Sequence, residues 1–196
     1  VEDEQRRVIA SPTTEGDRVL YRNLEFDGGT AAWEADNITT NKTAIEIYDV
    51  ASGDFSSFEI PDGHVRLSVS GNYLVYRRRG NEIHLYDIPA KNDRIIATVE
   101  RFAGGPYVEG NTVAWCEHVT KERFKGIPGH ALMDEKDICD IIEYDIDSGR
   151  RRVVAKYLLS NGNVSIHNGR IYLGVYREYP PPGASNLVAP VDLMVW

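Results

Sequence analysis

Two short patterns return along this chain at intervals of roughly 40 residues, a period that few architectures can produce. The first is a glycine followed by alternating apolar residues that close on an aromatic: Gly71-Asn72-Tyr73-Leu74-Val75-Tyr76, Gly110-Asn111-Thr112-Val113-Ala114-Trp115 and the looser Gly29-Thr30-Ala31-Ala32-Trp33. Gly169-Arg170-Ile171-Tyr172-Leu173 is a fourth copy, which places Trp33, Tyr76, Trp115 and Tyr172 together as core aromatics. The second pattern is an alternating run that ends in Tyr-Asp and a turn: Ile45-Glu46-Ile47-Tyr48-Asp49, Ile83-His84-Leu85-Tyr86-Asp87 and Ile142-Glu143-Tyr144-Asp145. The Asp-x-x-Ser-Gly that follows two of them is turn chemistry, because Asp and Ser side chains bond nearby backbone N–H groups.

Period-two alternation bounded by Gly, Asn, Asp and Ser predicts short antiparallel strands. One more strand precedes each glycine-led element, as in His64-Val65-Arg66-Leu67-Ser68-Val69, and one follows each Tyr-Asp element, as in Arg94-Ile95-Ile96-Ala97. Four strands per repeat, named a to d in chain order, predict an all-β fold: a β-propeller of four four-stranded antiparallel blades. The blades fall at about 17–60, 64–100, 104–157 and 162–196 within a single domain. A β-sandwich uses similar strands and is the competing fold. At the chain ends, Asp192-Leu193-Met194-Val195-Trp196 matches the c strands, and the missing d strand is found in Gln5-Arg6-Arg7-Val8-Ile9-Ala10, a near copy of Arg150-Arg151-Arg152-Val153-Val154-Ala155. The expectation is a ring in which the N-terminal strand closes the C-terminal blade and removes the open edges. The alternative is a part of a larger propeller, completed by further residues or by a second chain. A start at Val1 suggests a processed form or a domain cut from a longer protein.

These blades resemble TolB-like and WD-like propeller repeats, particularly those of archaeal and bacterial surface proteins that read G-x-x-V-V-W and I-Y-L-Y-D-x-x-S/T-G. The resemblance implies a protein-interaction platform, a periplasmic or cell-surface component, or an adjunct domain of a peptidase. Long insertions and a weaker fourth copy depart from the pattern.

Composition narrows the function. With 30 acidic against 22 basic residues the net charge is −8, which disfavours binding to phosphate backbones, so no nucleic-acid partner is expected. No apolar run reaches the roughly 20 residues that span a bilayer, so no membrane insertion is expected either. Cys116 and Cys139 lack paired C-x-x-C spacing. They flank a long insertion at the ends of strands b and c, where a disulfide would clamp its base and add on the order of 3 kcal/mol. Two buried thiols, or a metal site with His118, are the other readings. N-x-S/T sequons at Asn37, Asn41 and Asn163 are glycosylation candidates and favour an extracytoplasmic location.

In a propeller the b-to-c and d-to-a connections share one face. Three b-to-c connections read as long, from Ala35 to Thr43, His118 to Asp137 and Arg177 to Val191, and long loops on a rigid scaffold are where binding resides. The candidate binding residues on this face are Arg77, Arg78, Arg79, His118, Lys121, Arg123, Phe124, His130 and Tyr179. The arginine run suits a carboxylate, a phosphate or an acidic loop, and is equally readable as a solvated turn. Tyr179 opens a proline run that favours an extended ridge or a rigid spacer. His118, His130, Asp134 and Glu135 are metal candidates, against which stands a solvated loop, because no H-x-H or H-E-x-x-H spacing sets two ligands on one element. There is no G-x-S-x-G elbow, Walker motif or dinucleotide glycine motif, and no cofactor is expected. The sequence therefore predicts a non-enzymatic domain that binds protein or glycan. The alternatives are a metal-dependent enzyme on the 118–137 loop and a structural module of a surface-layer-type array.

Overall fold

A computed structural model describes residues 18–61, 66–78, 81–100, 102–119, 138–176 and 191–195. Blade one comprises β1 (Val19–Asp27), β2 (Thr30–Asn37), β3 (Lys42–Asp49) and β4 (Phe55–Ile60), paired antiparallel in chain order. Blade two repeats this with β5 (Arg66–Ser70), β6 (Tyr73–Arg77), β7 (Glu82–Asp87) and β8 (Asn92–Thr98). Blade three is β9 (Phe102–Glu109), β10 (Thr112–His118), β11 (Ile138–Asp145) and the first part of β12 (Arg151–His167). The second part of β12 becomes the inner strand of blade four, pairing with β13 (Arg170–Tyr176), which pairs in turn with β14 (Val191–Val195). Blades three and four thus share one unbroken strand. The proposed closing strand at 5–10 lies outside the described residues.

The hairpin turns explain the glycines. The first turn position has a left-handed backbone in every blade, with φ of 57° at Gly28, 54° at Gly71, 55° at Gly110 and 52° at Asn168. Glycine takes this conformation without a Cβ penalty, and Asn is among the few other residues that tolerate it. The c-to-d turns repeat as well. Asp49, Asp87 and Asp145 each accept a backbone N–H three residues on, at 2.7–2.9 Å, from Ser52, Ala90 and Ser148.

Alternation then gives each blade two apolar faces. Between blades one and two, Ala32, Ile45 and Ile47 meet Leu67, Val69, Leu74, Tyr76 and Tyr86. Phe58 of β4 stacks on Tyr86 with ring centroids 4.4 Å apart. Between blades two and three, Val75, Ile83 and Leu85 meet Val108, Val113, Trp115, Ile142 and Tyr144. Between blades three and four, Ala114, Cys116 and Ile141 meet Val164, Ile171 and Leu173. In blades two, three and four the b-strand side chain therefore points back to the blade before it. What lies across the sheet from it varies: Glu46 opposite Trp33, His84 opposite Tyr76, and Ile142 opposite Trp115. Trp33 donates its indole N–H to Glu46 Oε2 at 2.7 Å. Polar bonds join the inner strands too, with Ser68 and Ser70 accepting from the N–H groups of Val108 and Gly110.

Register corrects one reading of the fourth copy. His167 pairs with Arg170, so the turn is Asn168-Gly169, and Gly169 occupies the second turn position rather than the first. Everything downstream shifts by one, which puts Leu173 at the position of Trp115, fully buried, and turns Tyr172 to the opposite face. Truncation tests this assignment. Leu173→Ala is expected to lower unfolding free energy by about 2–5 kcal/mol, as buried leucines do, and Tyr172→Ala by less. Urea unfolding showing the reverse order would restore Tyr172 to the core.

Candidate functional site

At the b-to-c and d-to-a rim, β5 and β6 bring a basic pair together. Arg66 opens β5 and Arg77 ends β6, directly opposite each other in the register. Arg66 lies across Gly105 of β9, where a Cβ would stand 3.1 Å from the Arg66 Cδ. Glycine in this inner strand is what lets the guanidinium stem cross toward blade three. Burial, and then the like charge of Arg66, lower the pKa of Arg77. Beside them a polar hollow of about 230 Å³ opens between the inner strands of blades one, two and three. Asn23, Glu25, Arg66, Pro106 and Tyr107 line it.

Blade one supplies its acidic wall through a bulge. The β1–β2 register slips between Arg22 and Glu25, and Asn23 there adopts φ 50°. The slip re-aims the strand, as bulges do, and Asn23 donates from Nδ2 to Glu34 Oε2 at 2.7 Å. Burial raises the pKa of Glu25. The hollow thus has the Arg66 side chain on one side and the Glu25 carboxylate on the other. Its volume lies below the roughly 300 Å³ at which ligand pockets ordinarily begin, about the room one side chain needs.

Of the residues expected from sequence, Arg77 and Arg78 stand at this rim. Arg78 donates its backbone N–H to Glu82 O at 3.0 Å, and its guanidinium lies 4.0 Å from the Glu82 carboxylate. His118 ends β10 at the same rim, with Nδ1 3.4 Å from Ile138 O. Arg79, Lys121, Arg123, Phe124, His130, Asp134, Glu135 and Tyr179 lie outside the described residues. Among the described residues no three His, Cys, Asp or Glu side chains converge as a metal site. The Sγ atoms of Cys116 and Cys139 approach to 2.9 Å between β10 and β11, both buried and both free thiols here. Their mutual hydrogen bond, followed by burial, pushes the Cys116 thiol pKa up. Asn37 and Asn41 bound the β2–β3 connection, which is a tight turn rather than a long loop because the strands run on to Asn37 and from Lys42. Asn37 Oδ1 accepts the Thr40 N–H at 2.9 Å, and Asn41 is exposed at φ 55°. Asn163 lies within β12.

Arg66, Asn23, Glu25 and Tyr107 escaped the sequence reading because they belong to three strands that meet only in the fold. Gly104-Gly105-Pro106 inside a strand was the available signal, since glycine there marks a close approach.

His84 also gains partners that its position in the chain did not reveal. It stacks on Tyr76 at 4.9 Å, with Nδ1 2.9 Å from Asp93 Oδ2 and Nε2 3.3 Å from Glu82 Oε2. Tyr76 donates its hydroxyl to the same Asp93 oxygen at 3.0 Å. Burial disfavours the imidazolium, but the hydrogen bond and charge of Asp93 and the hydrogen bond of Glu82 outweigh it and the nearby Arg78, leaving the pKa raised. A raised histidine stabilises the fold fully below its unfolded value of about 6.5, and that contribution fades as pH climbs through the folded value. Wild-type stability relative to His84→Gln is therefore expected to fall as pH rises from about 6 to 8.5. Urea midpoints whose difference does not change with pH would show that His84 is uncharged throughout.

No protein-family model matches the sequence, and no curated protein matches it. Solved structures do. The acylaminoacyl peptidase of Pyrococcus horikoshii aligns with 91% of this chain and 31% of its own at 13% identity and a TM-score of 0.62. The β-propeller domain of the trilobed protease from Pyrococcus furiosus, described as having an open velcro topology, aligns over 91% of this chain and 54% of its own at 12% identity and a TM-score of 0.60. TolB from Acinetobacter baumannii aligns over 91% and 41% at 13% identity and a TM-score of 0.56. This chain spans little more than half of these proteins at most. At such identities the likeness speaks to architecture, and it agrees with the blade-by-blade register: the chain folds as a TolB-like β-propeller.

Proposed function

We propose that this chain is a non-enzymatic interaction domain, working outside the cytoplasm, whose b-to-c rim binds an acidic side chain or segment of a partner protein. The observation that carries it is the opposed Arg66–Arg77 pair beside the small polar hollow. Burial, and then the like charge of Arg66, disfavour the charged form of Arg77 at this half-buried corner. A carboxylate bound beside the pair gains charge-assisted, bidentate hydrogen bonds. Glu25 on the facing wall selects against a bulky polyanion, in line with the net charge of −8.

Three features support the location: the sequons at Asn37, Asn41 and Asn163, the exposure of Asn41 in its turn, and the close Cys116–Cys139 pair. Material from an oxidising compartment is expected to carry these cysteines as a disulfide, seen by non-reducing mass spectrometry as the loss of two hydrogens. Two free thiols in such material would remove that support.

Binding is tested by titrating the protein with an Asp/Glu-rich peptide and a matched Asn/Gln-rich peptide. The acidic peptide is expected to bind, more weakly as salt rises. Arg66→Gln and Arg77→Gln should each weaken it roughly tenfold or more, because a hydrogen bond to a charged group contributes about 1.5–3 kcal/mol. Equal binding of both peptides, or affinity that survives both substitutions, would contradict the proposal.

A further inference from the structure

Every blade packs on the one before it through the same positions, and the first blade has them too. In blade two, Leu67 and Val69 of the inner strand are 5% and 4% exposed because blade one covers them. Leu24 and Phe26 hold these positions in blade one, with Phe26 opposite Ala31 as Val69 is opposite Leu74. They are 68% and 64% exposed. Together with Tyr21, Ala31 and Trp33 they line an open hollow of about 680 Å³. Phe55 continues the face outward, its ring 6.2 Å from that of Trp33.

The opposite surface lies at the other end of the chain. Facing the next blade are the cross-strand pairs Ala32–Ile47 in blade one and Val75–Leu85 in blade two, all buried. The pair at this register in blade four is Tyr172–Val195, and Val195 is 46% exposed. Among the described residues, the strands of blade four form no packed interface with β1. Among the described residues, the two faces that the repeat makes complementary are therefore not packed on each other.

We propose that the blade-one face carrying Leu24, Phe26 and Trp33 docks the blade-four face carrying Tyr172 and Val195 of a second copy of this chain. The contact is head-to-tail, and two identical contacts close a ring of eight blades. The chain aligns with 54% of the propeller domain from Pyrococcus furiosus, so a propeller of this type extends beyond the blades that one copy supplies. Closure also removes apolar surface that a monomer would leave in water.

Light scattering over a concentration series tests this. The wild type is expected at twice the mass of one chain, and Phe26→Asp, Leu24→Asp and Val195→Asp each at the mass of one. These side chains are exposed in the single chain, so the substitutions should leave its circular dichroism unchanged. Mixing Phe26→Asp with Val195→Asp should restore the doubled mass, because each partner keeps the face the other needs. A wild type that stays at single mass at every concentration overturns the proposal, whether the covering blade then comes from this chain or from flanking sequence. So does a doubled mass that survives the substitutions, or a mixture that remains monomeric.

Discussion

A four-stranded blade of short strands has two apolar faces and too little area to bury either by itself, so the fold depends on the contact between one blade and the next. The chain meets that demand with a single repeated device. A bulky b-strand side chain, Tyr76, Trp115 or Leu173, projects onto the preceding blade, and the tyrosine of Tyr-Asp joins it in blades two and three. Because each such cluster draws on two blades, neither blade owns its core, and stability behaves as a sum of neighbour interfaces. Turns at Gly71 and Gly110 serve this packing by fixing the register that sends alternate residues forward and back.

The rim site follows from the same geometry. Inner strands of successive blades converge, so residues far apart in sequence, Asn23, Arg66 and Tyr107, come to line one hollow. Space there is scarce, and Gly105 provides it where Arg66 crosses. Arg66 and Arg77 face each other across β5 and β6 beside this hollow, and burial, followed by the like charge of Arg66, disfavours the charged Arg77. The His84 cluster differs in kind. It lies on the blade-two face that packs against blade one, its ring stacked on Tyr76 and its nitrogens satisfied by two carboxylates, which fits it to tuning stability rather than to chemistry on a substrate.

Most of the architecture was legible because it is local. Gly-Asn turns, Tyr-Asp-x-x-Ser-Gly turns and alternation each act within a few residues, and together they located the strands of the first three blades. Misreading began where one turn residue changed. Asn168 replaces glycine at the left-handed position, so the glycine that anchors the other copies sits one place later and Tyr172 was assigned to the wrong face. The Ala35–Thr43 connection looked like a loop because its polar composition hid strands that continue to a four-residue turn. The rim arginines Arg77 and Arg78 were visible as a run, but Arg66, Glu25 and Asn23 were not, since proximity across three blades leaves no spacing in the sequence.

Hydrogen exchange on Trp115→Ala probes most directly the claim that cores are shared between blades. Trp115 belongs to blade three but packs on Val75, Ile83 and Leu85 of blade two. Faster exchange in β6 and β7 as well as in β10 and β11, with β2 and β3 unchanged, is the predicted result. Acceleration confined to β10 and β11 would mean that blade three holds its core alone, and the account of interdependent blades would fail.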